Sequence, residues 1–229
     1  MKSGYVVFFV FLLVSTIPAV DIAFSALFYD GGGFVLQNNR PVELFELSVP
    51  IALGFCGLVI FGLWLGGRLN CRVIAGVNRR VMLLTFGTLV LGPLLAINGI
   101  LKSFWGRARP MEIFEFGGFK TFSPAGIISN QCSLDCSFAS GHTAMGFWAL
   151  SLALLAPRRF RRQAVAAALT LGALLGIGRI AQGMHFLSDV LFAAFITCGI
   201  ILWMHRSLYP EEYESVSYTH LTLPTKLEV

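Results

Sequence analysis

The chain has 229 residues, of which 56% are hydrophobic and 13% are charged, with a net charge of +5, and its mean hydropathy is +0.75. This composition excludes an ordinary soluble domain and is typical of an integral membrane protein. The positive charge does not indicate a nucleic-acid partner, because the arginines lie in short loops between apolar runs, where they set orientation in a bilayer.

Six apolar runs approach or exceed the length of about 20 residues that a helix needs to cross a bilayer. In chain order, the predicted spans are residues 5–28, 48–65, 81–101, 141–156, 164–181 and 186–204. We therefore predict an all-α fold, a six-helix membrane bundle in which residues 1–208 form one membrane domain.

The first run follows Lys2, as in a signal peptide, but it continues past Pro18 and Asp21, which favours an uncleaved anchor. Asp21 lies near the end of this run, where a carboxylate is costly unless it reaches the surface or pairs. We interpret Asp21 as an acid at the membrane interface rather than as a functional residue.

The longest loop, residues 103–138, is rich in phenylalanine, which argues against disorder and favours a functional loop over a site. The same aromatic residues could equally form a lid that lies on the lipid interface. Its two cysteines, Cys132 and Cys136, are predicted to form a disulfide if the loop faces an oxidising compartment. Two thiols without a second pair nearby are a weak signal for zinc.

The chain closes with a polar tail, residues 209–229, that is too short and too polar to cross a membrane. Its last residues are interpreted as partly non-native, derived from cloning or from a truncated frame. Nothing in the sequence sets the oligomeric state.

Arginine clusters follow the second and fourth predicted spans, and the positive-inside rule places them in the cytoplasm. Both termini are then cytoplasmic, and the far ends of the third and fifth spans lie outside together with the starts of the fourth and sixth. In a bacterial inner membrane this outer face is periplasmic. Hydropathy alone therefore brings four separate segments to one membrane face.

Three cations fall at that face: Lys102, Arg109 and Arg179. Guanidinium groups bind phosphate oxygens in a bidentate manner, and a phosphomonoester carries roughly −1.5 to −2 charges. Ser140 and Gly141 begin the fourth span, where backbone N–H groups and the helix dipole also favour an anion. We predict that these five residues form a phosphate pocket.

His185 and Asp189 are four residues apart at the start of a helix and therefore share a face. The carboxylate is expected to hold the imidazole in one tautomer and to stabilise its charged form, which suits a nucleophile. His142 arrives on another helix as a second imidazole. We predict in-line attack on phosphorus by His185, protonation of the leaving alcohol by His142, and hydrolysis of the phosphohistidine by water that His142 activates.

Other interpretations of these residues stay open at this point. A lysine or arginine at the end of a span often serves only to anchor the helix at the interface. His142, His185 and Asp189 also match a two-histidine, one-carboxylate metal site, although three nearby cations would repel a metal. A non-catalytic anion transporter would also line its path with arginine and histidine.

The spaced set of Lys102 with Arg109-Pro110, then Ser140-Gly141-His142, then Arg179 with His185 and Asp189 resembles the signature of the type 2 phosphatidic acid phosphatase superfamily. The motifs cover about residues 101–190, and the set is highly specific. The resemblance implies metal-independent hydrolysis of a phosphate ester, with no cofactor. It also implies His185 as nucleophile, Asp189 as its partner and His142 as general acid.

Two positions depart from the pattern of that superfamily. Ala139 stands where a proline usually precedes Ser-Gly-His, and Gly178 stands where a serine usually precedes the arginine. We expect the first change to loosen the turn and the second to remove one hydroxyl contact to phosphate. Neither removes a catalytic group.

Within the superfamily, residues 105–110, residues 122–125 and the Cys136-Ser137-Phe138 lead into Ser140 are similar to bacterial lipid A 4′-phosphatases. Lipid A is therefore the first candidate substrate. Undecaprenyl pyrophosphate, phosphatidylglycerophosphate and phosphatidate remain alternatives, as does phosphotransfer to a second lipid. Vanadium haloperoxidases use a related site, but they are soluble proteins.

Overall fold

The computed structural model describes residues 17–133 and 135–212, and the elements of this part of the chain are all helical. The longer helices, in chain order, are α1 (Pro18–Ala26), α2 (Arg40–Leu69), α3 (Arg79–Phe104), α4 (Gly141–Ala153), α5 (Arg158–Ala181) and α6 (Leu187–Leu208). The loop between α3 and α4 contains two 3₁₀ turns, Pro110–Glu112 and Phe114–Phe116.

Four of the described helices, α2, α3, α5 and α6, are long and apolar enough to cross a membrane. The predicted fourth span ends early, because α4 has only 13 residues and stops at Ala153 rather than at residue 156. Residues 5–16 of the predicted first span lie outside the described residues. Six crossings therefore stay a prediction, whereas an all-helical membrane fold is established.

Helices α2 and α3 begin further upstream than the predicted spans, because asparagine caps set their starts. The Oδ1 of Asn39 accepts a hydrogen bond from the N–H of Val42 at 3.2 Å, and Pro41 occupies the first turn. Helix α2 consequently begins eight residues before the predicted span, and this extension includes Glu46. Asn78 caps α3 in the same way, through the N–H of Val81 at 3.0 Å.

Helix α4 is short because it lies inside the bundle, where it packs against α2, α3, α5 and α6. Its Trp148 is fully buried and donates its indole N–H to the carbonyl oxygen of Thr85 at 3.0 Å. Thr85 belongs to a π-helical stretch of α3, Leu83–Gly87. Helices α4 and α5 pack closely at two glycines: a Cβ added to Gly146 would lie only 2.9 Å from the Cα of Gly172.

The two ends of the bundle differ in their ionic contacts. At one end, arginines in the first turns of α3 and α5 meet the residues that follow α6. Arg80 pairs with Glu211 at 2.7 Å, and Arg161 pairs with Glu212 at 2.6 Å. The predicted polar tail is thus held against the bundle at its first residues. The opposite end carries the long loop and the predicted site.

Candidate active site

Backbone hydrogen bonds join the segments at the site end of the bundle. The N–H of Met111 donates to the carbonyl of Gly183 at 3.0 Å, which ties the long loop to the turn after α5. The N–H of Ser140 donates to the carbonyl of Asp189 at 3.3 Å, which ties the start of α4 to the start of α6. The structure thereby brings together the segments that carry the predicted site residues.

His185 lies in the turn between α5 and α6 and is completely buried. Its Nδ1 lies 2.7 Å from the carbonyl oxygen of Ser137. A carbonyl only accepts, so Nδ1 carries the proton and Nε2 keeps a lone pair. Nε2 is buried and has no hydrogen-bond partner among the described residues. Burial lowers the pKa of His185 to about 4, so the imidazole is neutral at pH 7.

Asp189 is linked to His185 through Ser137 and not through a direct hydrogen bond. Its Oδ2 lies 3.8 Å from Nδ1 of His185, which is beyond hydrogen-bonding distance. The same oxygen accepts from the hydroxyl of Ser137 at 2.6 Å and from the N–H of Phe186 at 2.7 Å. The carbonyl of Ser137 therefore fixes the tautomer of His185, which we had expected Asp189 to do. Asp189 still favours the charged form of the imidazole through its negative charge.

His142 is the second residue of α4 and is partly buried. It interacts electrostatically with Arg179, His185 and Lys102. Ser140, just before α4, caps the helix: its Oγ accepts from the N–H and the hydroxyl of Thr143, at 3.4 and 2.8 Å.

Gly141 is needed for packing at the start of α4. A Cβ added there would lie 2.5 Å from the Oδ1 of Asn98, a side chain on α3. The absence of a side chain thus lets α4 begin directly against α3, at a residue four positions before Lys102.

Lys102 and Arg109 both bind the carboxylate of Asp135. Arg109 also donates to the backbone carbonyl of Asp135 at 3.0 Å. Although partial burial acts to raise the pKa of Asp135, the hydrogen bond and charge of Lys102, together with Arg109, hold it below its ordinary value. Cys132 and Cys136, which flank Asp135, form a disulfide. A carboxylate thus lies on two of the three predicted phosphate-binding cations.

Arg179 is anchored from one side. Its Nη1 donates to the carboxylate of Glu46 at 3.1 Å and to the side-chain oxygen of Gln182 at 3.0 Å. Its Nε is buried without a hydrogen-bond partner among the described residues. A Cβ added to Gly178 would lie 2.5 Å from the Oε1 of Glu46, so the glycine found in place of the usual serine makes room for this carboxylate.

Sequence reasoning missed the buried residue Arg107. Its guanidinium pairs with Asp189 at 2.6 Å and with Asp21 at 2.8 Å. The interpretation of Asp21 as an interfacial acid is therefore wrong: its carboxylate is buried in an ion pair inside the protein. The available signal was the cost of a carboxylate within an apolar run, which requires a partner.

The described residues contain no group of three or more His, Cys, Asp or Glu side chains that could hold a metal ion. What the site does hold is a neutral imidazole with a free lone pair, a second imidazole and three cations. Such an arrangement suits nucleophilic attack on a phosphate ester.

Comparisons with known proteins agree with this chemistry. The PAP2 superfamily profile matches residues 80–212. The chain is 33% identical over 205 residues to the lipid A 4'-phosphatase of Francisella tularensis subsp. novicida (strain U112), covering 87% of this chain and 88% of that protein. It is 30% identical over 191 residues to the lipid A 4'-phosphatase of Rhizobium leguminosarum, covering 76% and 80%. No solved structure matches the chain significantly.

Proposed function

The chain belongs to the PAP2 superfamily, and from that premise we propose that it removes the 4′-phosphate of lipid A without a metal ion, at the site formed by His185, His142 and the three cations. It is a phosphomonoester hydrolase that acts on a membrane lipid. Lipid A is the preferred substrate because both relatives described above act on it and match this chain over most of its length.

The observation that carries the assignment is a pair of buried nitrogens without partners. Nε2 of His185 and Nε of Arg179 both lack a hydrogen bond among the described residues. Burial lowers the pKa of His185, and the positive charge of Arg179 acts in the same direction. A buried polar atom without a partner costs free energy of about 1–3 kcal/mol. A phosphoryl group placed between them would satisfy the arginine and present phosphorus to the imidazole.

In the proposed reaction, the lone pair of His185 Nε2 attacks phosphorus while the ester P–O bond breaks. The negative charge of the bound phosphate favours the protonated form of His142, which gives its proton to the leaving oxygen. His142, now neutral, takes a proton from water, and the resulting hydroxide attacks the phosphohistidine. The N–P bond breaks, inorganic phosphate leaves, and both imidazoles return to their starting protonation states. Lys102, Arg109 and Arg179 neutralise the phosphoryl oxygens throughout.

We assay the purified protein in detergent, with EDTA, on lipid A, undecaprenyl pyrophosphate, phosphatidylglycerophosphate and phosphatidate. The expected result is phosphate release from lipid A, with mass spectrometry locating the loss at the 4′ position, and no release by His185→Ala. Preference for another lipid overturns the substrate, and loss of activity in EDTA overturns the metal-free reaction. Transfer of phosphate to an added lipid acceptor in place of water would identify a phosphotransferase.

We further propose six crossings with both termini in the cytoplasm and the site facing the periplasm of a bacterial inner membrane. The distribution of the arginines supports this orientation. Cys71 lies exposed in the arginine-rich loop between α2 and α3 and provides a natural label. A membrane-impermeant maleimide added to intact spheroplasts should leave Cys71 unmodified and, in a Cys71→Ser background, should modify Lys120→Cys. The reverse labelling pattern would overturn the orientation.

A further inference from the structure

Arg107 is among the largest fully buried side chains of the described residues. Each of its three side-chain nitrogens donates to a different segment of the chain. Nε donates to the carbonyl of Ser123 at 2.7 Å. Nη1 donates to Asp189 at 2.6 Å and to the hydroxyl of Ser188 at 2.8 Å, and Nη2 donates to Asp21 at 2.8 Å. The guanidinium also lies 4.2 Å from the ring centroid of Phe186. Arg107 is thus committed to the protein and not to a phosphate.

Asp21, on α1, has both carboxylate oxygens in use. Oδ1 accepts from the N–H of Ser188 at 2.9 Å, and Oδ2 accepts from the hydroxyl of Ser188 at 2.5 Å as well as from Arg107. Ser188 is in the first turn of α6, where free N–H groups favour an acceptor. Asp21 therefore fixes α1 to Arg107 and to the start of the helix that carries Asp189.

From Arg107, two short paths lead to His185. Through its side chain, Arg107 holds Asp189, which accepts from the Ser137 hydroxyl at 2.6 Å. Through its backbone carbonyl, Arg107 accepts from the N–H of Ser137 at 2.9 Å. Ser137 in turn accepts the Nδ1 proton of His185 at 2.7 Å. Both paths end on the residue that sets the tautomer and direction of the imidazole.

We propose that Arg107 and Asp21 are positioning residues that hold Asp189 and Ser137 in place, so that the imidazole of His185 points its Nε2 at the phosphorus. This inference rests on the proposed function. It also assigns a part in the reaction to α1, which lies outside the residues that match the superfamily profile, 80–212.

The charges of this cluster give the inference a distinctive signature. Asp21 and Asp189 share one guanidinium, so the ionised cluster keeps one net negative charge beside His185. Neutralising Asp21 leaves Arg107 paired with Asp189 alone. The pair then carries no net charge, so Asp189 stabilises a charged imidazole of His185 less. Removing the charge of Arg107 has the opposite effect. The other charged or titratable groups that act on His185, namely Arg179, Lys102 and His142, are unchanged in both cases.

The test compares Asp21→Asn and Arg107→Gln with Asp30→Asn, which changes an exposed aspartate that accepts only from nearby N–H groups of its own loop. We expect kcat per folded protein to fall about 10-fold in the first and about 100-fold in the second, with KM within about threefold, because neither side chain contacts the phosphate. NMR of histidine-labelled protein should show His185 protonating at lower pH in Asp21→Asn and at higher pH in Arg107→Gln.

The outcomes separate this inference from the proposed function. If Asp21→Asn matches Asp30→Asn in kcat and leaves the His185 titration unmoved, the positioning role is overturned, whether or not Arg107→Gln folds. If the wild type hydrolyses no lipid phosphate, the proposed function fails, while the titration shifts still test the coupling to His185. A smaller folded fraction with unchanged kcat and titration would indicate a structural role only and would overturn the inference.

Discussion

Two ionic clusters of the site use the same residue types in different environments. In the inner cluster, Arg107, Asp21 and Asp189 have side chains no more than 1% exposed. In the outer cluster, the side chain of Asp135, which pairs with Lys102 and Arg109, is 61% exposed. Buried charges are costly to separate, whereas solvent competes for exposed ones. The inner cluster is thus the harder one to separate, and we propose that a substrate phosphate replaces Asp135 on the cations of the outer cluster.

The largest effect is expected from the nucleophile itself. His185→Ala removes the only buried imidazole nitrogen in the described site that has a free lone pair, so phosphate release should fall by at least about 1,000-fold. The matched control is His205→Gln, at the opposite end of α6. Activity in His185→Ala above about a tenth of wild type would exclude His185 as the nucleophile.

The contrast between buried and exposed pairs is measured by thermal unfolding in detergent. Arg107→Gln leaves two carboxylates buried without their cation and should cost about 3–5 kcal/mol, lowering Tm by about 10 °C. Arg80→Gln breaks the Glu211 pair, whose side chains are 53% and 57% exposed, and should cost about 0–1 kcal/mol. Equal losses in the two variants would contradict the distinction.

Gly178 is expected to give an intermediate effect. The change Gly178→Ser restores the residue usual in the superfamily, but its Cβ would lie 2.5 Å from Glu46, so Arg179 should lose its anchor and KM should rise about tenfold. Gly62→Ser, on the open face of α2, is the control because nothing lies within 4 Å of the added Cβ. An unchanged KM in Gly178→Ser would show that Glu46 can move without consequence.

The smallest effect is predicted for the outer cluster. Asp135→Asn removes the charge that competes with phosphate for Lys102 and Arg109, so KM and the inhibition constants of phosphate and vanadate should fall about three- to tenfold. The exposed carboxylate of Glu115, in the same long loop, provides the control Glu115→Gln. Weaker inhibition by vanadate in Asp135→Asn would mean that Asp135 supports the site instead of occupying it.

Sequence analysis grouped the predicted site residues because their motifs are local. Lys102 and Arg109 share one segment, and His185 and Asp189 share one helical turn, so spacing and the side of the membrane were enough to group them. The same logic predicted the all-helical membrane fold. It overestimated α4, since a helix inside a bundle need not match the bilayer thickness.

The pairings that hold the site could not be read from local spacing. Asp21 and Arg107 are 86 positions apart, and Glu46 and Arg179 are 133 positions apart. Neither pair belongs to a periodic pattern, and each forms only when separate helices pack. Asp21 was therefore misinterpreted and Glu46 was not noticed, although a carboxylate in an apolar segment calls for a partner.

Trapping the covalent intermediate tests the central claim most directly. We quench the enzyme at alkaline pH during turnover of lipid A and locate the bound phosphoryl group by mass spectrometry, in wild type, His142→Ala and His185→Ala. The account predicts an acid-labile phosphoryl group on His185 that accumulates in His142→Ala, because water is no longer activated, and that is absent in His185→Ala. A phosphoryl group on any other residue would contradict the account. Turnover by wild type or His142→Ala without a phosphoryl group on the protein would contradict it as well.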